Sequence, residues 1–375
     1  MADNTAKKVA VSFAAIDPYL LETMPRPTET KIAGRPFVEW GTRNIYPSYL
    51  LELYNSVPTL RTIINGTVDF ITGDDITARP LGQLTGGRMN RKGDTIRDQV
   101  RDIARDYEIY GGFALQIIRA FDGSVAEVFY IDIRFLRSNE EGDVFRYCEK
   151  WDKGGRRDVT VYPVYRQNLD WSKLTDEERN RNASSILYVK NEHTQVYPSP
   201  LYAAAVKDCE LERNITDYHI NSLENGFASS AFVNFNNGTP TDEVKEEIEK
   251  DFVEKFSGHQ NAGRIGFSWN RDKDHATEII VPEIKDFGEK YRALSTHARQ
   301  QIFASFRAVP ALFGIMTEST GFNEQEFAQA FKLYNRTMVR PVQRLICDTY
   351  DKIYSINGSV NIRPFSIEGT EQTVD

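Results

Sequence analysis

The sequence predicts an α+β fold in which an antiparallel-sheet domain is joined to two long helices, a small α/β insert and a kinked C-terminal helix. Three observations predict this class. The hydrophobic period changes from about 3.6 residues to 2 at Phe113. Two long helical patterns flank a strand–helix–strand segment. A helix–loop–helix pattern with strong start and stop signals runs from Asp286 to Tyr350.

The composition excludes several classes of protein. The 375 residues are enough for more than one domain, and no apolar run approaches the roughly 18 residues of a membrane span. The three cysteines are far apart and the five histidines are scattered, so neither a disulfide framework nor a metal site is predicted. A net charge of −8 disfavours tight binding of nucleic acid through its phosphates, but it does not exclude loose contact.

The N-terminal half is predicted to form an arm, residues 1–35, followed by an α+β domain, residues 36–198. The segment from Trp40 to Asp75 has the pattern of helical turns, and a helix after Asp94 ends at Gly111-Gly112. Period-two strands follow, and the first two form a hairpin across Phe121-Asp122-Gly123. The predicted strands are Phe113–Arg119, Val125–Ile131, Val144–Glu149, Val159–Tyr165 and Ile186–Lys190, with a polar loop at 166–184.

Two long helices are predicted around the insert. The first begins at Ser199-Pro200, an N-cap residue followed by proline, and continues to Asn225. The insert contains strands at Ala231–Phe235, Arg264–Trp269 and Glu278–Val281, with an acidic helix after Thr239-Pro240. Because the ends of a small insert must be close, we expect the second helix, 286–307, to run antiparallel beside the first.

The C-terminal segment has the pattern of a helical hairpin followed by a strand. The first helix carries an apolar stripe, and Pro310 ends it. The second helix opens at Asn323, with Glu326 completing a capping box, and Pro341 predicts a kink within it. The stripe of the first helix consists of Phe287, Tyr291, Leu294, Ala298, Ile302 and Phe306, and the final strand is Ser359–Ile367.

No sequence motif for catalysis is present, since Walker, GxGxxG, HExxH and GxSxG patterns are all missing. The prediction is therefore that the chain is not an enzyme and holds no cofactor or metal. Two alternatives stay open. One is a metal-dependent enzyme acting on nucleic acid through Asp69, Asp74 and Asp75; the other is a structural or adaptor protein that does not touch DNA.

The order of several motifs resembles the portal proteins of tailed bacteriophages, in a compact form that nearly lacks a crown. The resemblance covers roughly residues 36–355. It rests on Asn44-Ile45-Tyr46-Pro47, Ser56-Val57-Pro58, Tyr197-Pro198-Ser199-Pro200-Leu201, Glu224-Asn225-Gly226, Asn261-Ala262-Gly263, Arg299-Gln300-Gln301-Ile302, Val309-Pro310-Ala311-Leu312-Phe313-Gly314 and Arg340-Pro341.

The resemblance implies a homo-oligomeric ring, of twelve subunits in the family, at one vertex of a capsid. Double-stranded DNA would pass through the ring during packaging and ejection. The structural or adaptor alternative would then be a virion protein that binds other subunits but does not contact DNA. The implied partners are the terminase large subunit, a head–tail adaptor and the major capsid protein, in the virion and, during assembly, in the host cytoplasm. The implied regions are a wing (36–198), stem helices (199–225 and 283–308), a clip (226–282), a tunnel loop (309–321), a kinked helix returning to the wing (322–355) and a C-terminal strand and tail (356–375).

The same resemblance assigns candidate residues. The DNA-facing tip of the tunnel loop would be Met316, Thr317, Glu318, Ser319 and Thr320. The base of the loop would be anchored by Val309, Pro310, Leu312 and Phe313. Arg292 and Arg299, on the polar arc of their helix, are expected to pair with acids of a neighbouring subunit rather than with DNA. Pro341 is expected to mark the bend of the last helix.

Overall fold

The structure, a computed structural model, describes residues 25–79, 88–151, 159–224, 232–235, 241, 244, 266–269, 287–315 and 324–366. The chain divides into a first unit, Met1–Ala203 with Arg307–Asp375, and a second unit, Ala204–Phe306. The described strands are β1 (Glu29–Lys31), β2 (Val38–Trp40), β3 (Asp75–Ala78), β4 (Gly112–Arg119), β5 (Val125–Ile131), β6 (Leu136–Ser138), β7 (Val144–Tyr147), β8 (Thr160–Pro163), β9 (Ser184–Lys190), β10 (Phe232–Phe235), β11 (Gly266–Trp269) and β12 (Val360–Arg363). The described α-helices are α1 (Tyr46–Ser56), α2 (Pro58–Thr72), α3 (Ile96–Tyr110), α4 (Asp176–Asn182), α5 (Val206–Glu224), α6 (Phe287–Ser305), α7 (Glu324–Tyr334) and α8 (Arg340–Tyr354).

The first unit contains two three-stranded antiparallel sheets. Their strand orders are β5-β4-β9 and β6-β7-β8, so the predicted hairpin and the antiparallel pattern are both confirmed. Ala114, Leu136, Phe145 and Ile186 are buried together and join the two sheets into one core. The β-branched and aromatic residues along these strands favour such a pleated, half-buried surface.

Helix α3 lies beside this core and has clear ends. Thr95 and Asp98 form a capping box, in which the Thr95 hydroxyl accepts from the Asp98 N–H at 3.2 Å. Gly111 ends the helix in the left-handed region, at φ 83°. A Cβ at this position would lie 2.1 Å from the Ser199 carbonyl oxygen, so both the conformation and the space require glycine. The predicted helix after Asp94 is confirmed.

Two predictions about residues 166–205 are wrong. The segment predicted as a loop contains α4, which is capped by a Thr175–Glu178 capping box that the sequence already carries. The long helix begins at Val206 rather than at Ser199, after a 3-10 turn at Ala203–Ala205. Tyr202 is buried and donates its hydroxyl to the Ile109 carbonyl at 3.1 Å. This tertiary contact holds the chain in a turn where the Ser-Pro signal alone favours a helix.

The second unit contains two helices that lie side by side. Tyr218 of α5 stacks on Tyr291 of α6 at 5.0 Å, and Glu212 of α5 lies 3.7 Å from Arg299 of α6. Later residues of α5 therefore lie opposite earlier residues of α6, so the two helices are antiparallel, as predicted. Strands β10 and β11 pair in parallel. The acidic helix predicted after Thr239-Pro240 lies almost wholly outside the described residues, and the strand predicted at 278–281 lies wholly outside them.

The apolar stripe predicted for α6 is only partly buried. Ala298, Ile302 and Phe306 are buried, but Leu294 is 44% exposed. The buried half of the stripe therefore belongs to the C-terminal end of the helix. Periodicity predicts which residues share a face, not how much of that face is covered.

The last helix is interrupted before its proline. A π-helical turn at Asn335–Val339 separates α7 from α8, and the Arg340 N–H donates to the Asn335 carbonyl. Pro341 falls in the first turn of α8, where a missing N–H costs least. The structure thus places the irregularity one turn ahead of the residue predicted to cause it, and a bend at Pro341 itself stays a prediction.

The C-terminal strand is confirmed in a shorter form. Strand β12 pairs antiparallel with β3, from Val360 opposite Ala78 to Arg363 opposite Asp75. The sequence did not indicate β3, which is short and half polar. This pairing joins the C-terminal segment to the end of α2, close to the residues that hold the loop described below.

Helix α3 also carries a buried acid whose ionisation opposes folding. Glu108 is 1% exposed, and burial raises the pKa of its carboxyl group to about 8. Its Oε2 atom has no hydrogen-bond partner within the described part of the chain. Because the folded state holds this proton up to a higher pH than the unfolded state does, Glu108 makes stability fall as pH rises from about 4.5 to about 8.

We expect Glu108→Gln to remove part of that pH dependence. Between pH 5 and pH 8 the free energy of unfolding of the wild type should fall with pH more steeply than that of the variant, by up to about 1.4 kcal/mol per pH unit. Melting temperatures measured over this pH range report the difference. Asp106, whose pKa is also raised by burial, is present in both proteins, so the difference isolates Glu108. Glu177→Gln, on exposed α4, is the control. Parallel pH curves for wild type and Glu108→Gln would contradict this assignment.

Candidate functional site

Residues 309–315, the described part of the predicted tunnel loop, form a compact turn. Pro310–Phe313 is a 3-10 turn that ends at Gly314 in the left-handed region, at φ 73°. The Leu312 N–H donates to the Val309 carbonyl at 3.0 Å, and the Ile315 N–H donates to the Pro310 carbonyl at 3.1 Å. The base of the loop therefore has a fixed backbone conformation of its own.

An aromatic cluster holds this turn in place. It consists of Phe70, Phe313, Phe331, Tyr334 and Phe365, and is called the loop-base cluster below. The Phe313 ring lies 6.0 Å from that of Phe70 and 5.7 Å from that of Tyr334, the latter in an edge-to-face arrangement. Phe70 is at the centre, with Phe331 at 5.4 Å and Phe365 at 5.3 Å. Such aromatic pairs contribute about 0.5–1.5 kcal/mol each beyond their area burial.

Helix α2 provides the surface on which the turn rests. Gly66 and Phe70 are four residues apart on one face, and a Cβ at Gly66 would lie 2.7 Å from the Cδ1 atom of Phe313. On the same helix the Thr67 hydroxyl donates to the Ile63 carbonyl at 2.8 Å and accepts from the Tyr334 hydroxyl at 2.7 Å. Burial raises the pKa of Tyr334, so this phenol stays a neutral donor. Glycine is needed here for the close approach of an aromatic ring.

The predicted anchors of the loop divide into two groups. Leu312 is buried, and Phe313 packs in the loop-base cluster, so both contact the body of the protein. Pro310 is partly buried and opens the 3-10 turn. Val309 is 42% exposed, in contrast to the apolar packing predicted for it. The tip residues Met316–Thr320 lie outside the described residues, so their role stays a prediction.

Sequence reasoning missed Gly66 and Phe70 as partners of the loop. These two residues are more than 200 positions away from Phe313 in the sequence. A signal existed, because an isolated glycine inside a helical pattern indicates a close approach of another group. Nothing in the sequence indicated that the approaching group is Phe313.

We expect the stability effect of Gly66→Ala to change sign with the residue at 313. Alone, the substitution should destabilise by about 1–3 kcal/mol, because its Cβ meets the Phe313 ring. In a Phe313→Ala background it should stabilise by up to about 1 kcal/mol, since alanine favours the helix more than glycine does. A double-mutant cycle of urea unfolding measures the coupling. Equal effects of Gly66→Ala in both backgrounds would show that Phe313 does not contact Gly66.

The two candidate arginines of α6 lie in different surroundings. Arg299 is 60% exposed, and its Nε atom lies 3.7 Å from Oε1 of Glu212, whose side chain is nearly buried. This contact is within one chain. Arg292 is exposed. The pairing of either arginine with a neighbouring subunit stays a prediction.

The three acids of the nucleic-acid enzyme alternative are each engaged elsewhere. Asp69 pairs with Arg101 at 3.2 Å, Asp74 accepts from the Ser366 hydroxyl at 2.8 Å, and Asp75 accepts from the Ile76 N–H at 2.9 Å. Within the described ranges, no group of three or more His, Cys, Asp or Glu side chains has an arrangement that could hold a metal ion. The structure thus gives this alternative no support.

Among the helices that the structure describes, none combines the length and the apolar character that a membrane crossing requires.

Sequence comparison finds only distant relatives. No protein-family model matches the chain. An uncharacterized protein of Rickettsia felis is 29% identical over 181 residues, which are 46% of this chain and 44% of that protein. An uncharacterized protein of Rickettsia bellii is 27% identical over 208 residues, 53% of this chain and 51% of that protein. The chain thus spans about half the length of the curated relatives it matches.

Structural comparison finds neighbours that align with most of the chain. A chain in the virion of a native gene transfer agent particle aligns over 90% of this chain and 88% of its own length, with a TM-score of 0.54 and 16% identity. A chain in the neck of that particle, which was computed with C12 symmetry, aligns over 87% of this chain and 86% of its own length, with a TM-score of 0.51 and 16% identity.

A third neighbour carries a family name. An HK97 family phage portal protein from Corynebacterium diphtheriae aligns over 84% of this chain and 93% of its own length, with a TM-score of 0.52 and 12% identity. At such low identity a likeness shows the fold alone. The mixed helices and small antiparallel sheets predicted from the sequence are confirmed, and the chain has a portal-like fold.

Proposed function

We propose that this chain is the subunit of a portal ring, a head–tail connector through which double-stranded DNA enters and leaves a capsid. One observation carries the proposal: the likeness to particle-neck and phage portal chains extends over 84–90% of this chain and 86–93% of theirs. A likeness confined to one sheet or helix pair would suit many functions, whereas a likeness over most of both chains supports a shared subunit architecture.

In this proposal the regions keep the order that the sequence suggested. Residues 36–198 form the wing, residues 199–225 and 283–308 the stem, and residues 226–282 the clip. What supports the stem is the antiparallel pair α5 and α6, joined by the Tyr218–Tyr291 stack. What supports the tunnel loop is the turn at 309–315, which packs against the loop-base cluster.

The proposed tip of the loop suits a conduit rather than a clamp. Met316–Thr320 contains hydroxyl groups and one carboxylate, but no lysine or arginine. Such a tip can touch phosphates and water without forming ion pairs. The chain then acts as a passive channel with no catalytic residue, and the chemistry of packaging belongs to a partner.

The partners follow from the same proposal. The clip would meet the terminase large subunit during packaging and a head–tail adaptor afterwards, and the wing would meet the major capsid protein. The ring would assemble in the host cytoplasm and remain at the capsid vertex of the virion. The C12 symmetry used for the gene transfer agent neck supports a ring of twelve copies.

Mass photometry of the purified chain tests the proposal. We expect a dominant species near twelve times the mass of one chain, resistant to dilution. A monomer at every protein concentration and salt condition would contradict it. A ring that forms but fails to restore packaging in a portal-deleted phage or gene transfer agent would contradict the conduit role while leaving ring assembly in place.

A further inference from the structure

The outer face of the C-terminal helix carries a line of positive charge. Lys332, Arg336, Arg340 and Arg344, called the cationic stripe below, occur at steps of four and are all exposed. Between Glu326 and Asp348 the sequence contains no aspartate or glutamate. The whole chain has a net charge of −8, so its composition does not reveal this positively charged face.

The helix geometry keeps these cations in one line. At 1.5 Å per residue the stripe is about 18 Å long, and an uninterrupted α-helix would turn positions four apart by about 40° per step. The π-helical turn at Asn335–Val339 lies between the first and third cations. It contains more residues per turn than an α-helix, which reduces the rotation of the cations around the helix axis. The opposite face is buried through Phe331, Tyr334 and Val339.

The stripe is attached to the base of the proposed tunnel loop. Phe331 and Tyr334, which flank Lys332 on α7, are members of the loop-base cluster that holds Phe313. The inner face of the helix therefore fixes the loop, and the outer face presents the cations. A helix packed in this way is a rigid support, so the position of the stripe is fixed relative to the loop base.

We propose that the cationic stripe binds the phosphate backbone of the DNA duplex at the level of the loop base. This inference rests on the proposed portal function. It adds a contact with DNA that the acidic composition of the chain does not suggest. Duplex DNA carries one charge per roughly 1.7 Å of axis, so a line of about 18 Å faces several phosphates. Contacts of this kind are independent of sequence and sensitive to salt, and they let DNA slide.

A protein partner fits the same face less well. The cores of protein interfaces are poor in charge and rich in aromatic residues. Along the helix the exposed residues next to the cations are Leu333, Thr337 and Pro341, and the exposed acid Asp348 follows Arg344 by four residues. Leu333, at 65% exposure, is the large apolar side chain among them. Four cations on a stretch of helix that itself contains no acid match a polyanion better.

The test compares the assembled wild-type protein with Arg336→Gln/Arg344→Gln, using fluorescence anisotropy of a short labelled DNA duplex. Lys173→Gln/Arg181→Gln, which removes two exposed cations around α4, is the matched control. In about 50 mM salt we expect the stripe variant to bind roughly tenfold more weakly. Its slope of log affinity against log salt should also become shallower by about 0.9 for each phosphate that the variant no longer neutralises. The control should match the wild type.

Three results would overturn the inference. The first is unchanged affinity and salt slope in the stripe variant, or equal losses in variant and control. The second is a wild-type ring that does not bind the duplex even at low salt. The third is dissociation of the ring in the stripe variant, seen by mass photometry, which would make the stripe an interface between copies. Failure of the wild type to form a ring is a separate result that contradicts the portal function itself.

Discussion

Replacing Arg137 by methionine is expected to lower the free energy of unfolding by about 3 kcal/mol or more, because buried acceptors left without a donor cost roughly 1–3 kcal/mol each. Arg137 is 1% exposed, and its guanidinium donates to the Asn44 carbonyl at 2.8 Å and to the Arg134 and Leu136 carbonyls at 2.7 Å, as well as to Asn44 Oδ1. Burial lowers the pKa of this group only to about 10, so it is charged at neutral pH.

The effect should be specific to burial rather than to charge. Arg101→Met removes an exposed arginine that pairs with Asp69 at 3.2 Å, and a pair of that kind contributes only about 0–1 kcal/mol. Urea unfolding followed by far-ultraviolet circular dichroism measures both variants. Similar midpoints for Arg137→Met and Arg101→Met would show that the Arg137 network does not hold Asn44 and the start of α1 in place.

Deleting Met316–Thr320 is expected to abolish DNA packaging while the ring still assembles. The deletion removes the proposed DNA-facing tip but keeps Leu312, Phe313 and the loop-base cluster, which are the contacts that position the base. A loop of this type stabilises little by itself, so the melting temperature should change by only a few degrees. Packaged DNA is measured by complementation of a portal-deleted particle with the variant.

A length-matched control separates the effect of the side chains at the tip from the effect of the length of the loop. Replacing the same residues by a Gly/Ser segment keeps the length but removes Met316 and Glu318. Packaging restored by that segment would show that the loop acts through its length alone. Normal packaging with the full deletion would contradict the tunnel-loop assignment, and loss of the ring would show that the tip takes part in assembly.

The sequence predicted local structure well where the signals are local. The hairpin of β4 and β5 and the end of α3 at Gly111 follow from periodicity and from turn and capping signals. The antiparallel pair α5 and α6 follows from a different argument, that the ends of the insert between them must be close. Helix α4 was missed although Thr175 and Glu178 carry a capping box, because a short polar helix has no apolar stripe to indicate it.

Tertiary contacts explain what the sequence could not show. Tyr202 donates a hydrogen bond to the end of α3, which holds residues 200–203 in a turn, so the long helix starts later than Ser199-Pro200 predicts. Phe313 packs against Gly66 and Phe70, on a helix far away in the sequence, and no local pattern connects them. The cationic stripe is visible in the sequence as a spacing, but its exposure and its attachment to the loop base required the packing of Phe331 and Tyr334.

A cryo-electron microscopy reconstruction of the purified oligomer would show whether the subunits enclose a channel. We predict a closed ring, with twelve subunits by analogy with the C12 neck, in which residues 309–315 and the cationic stripe both face the central channel. A monomer, an open assembly, or a ring in which residues 309–315 point away from the channel would contradict it.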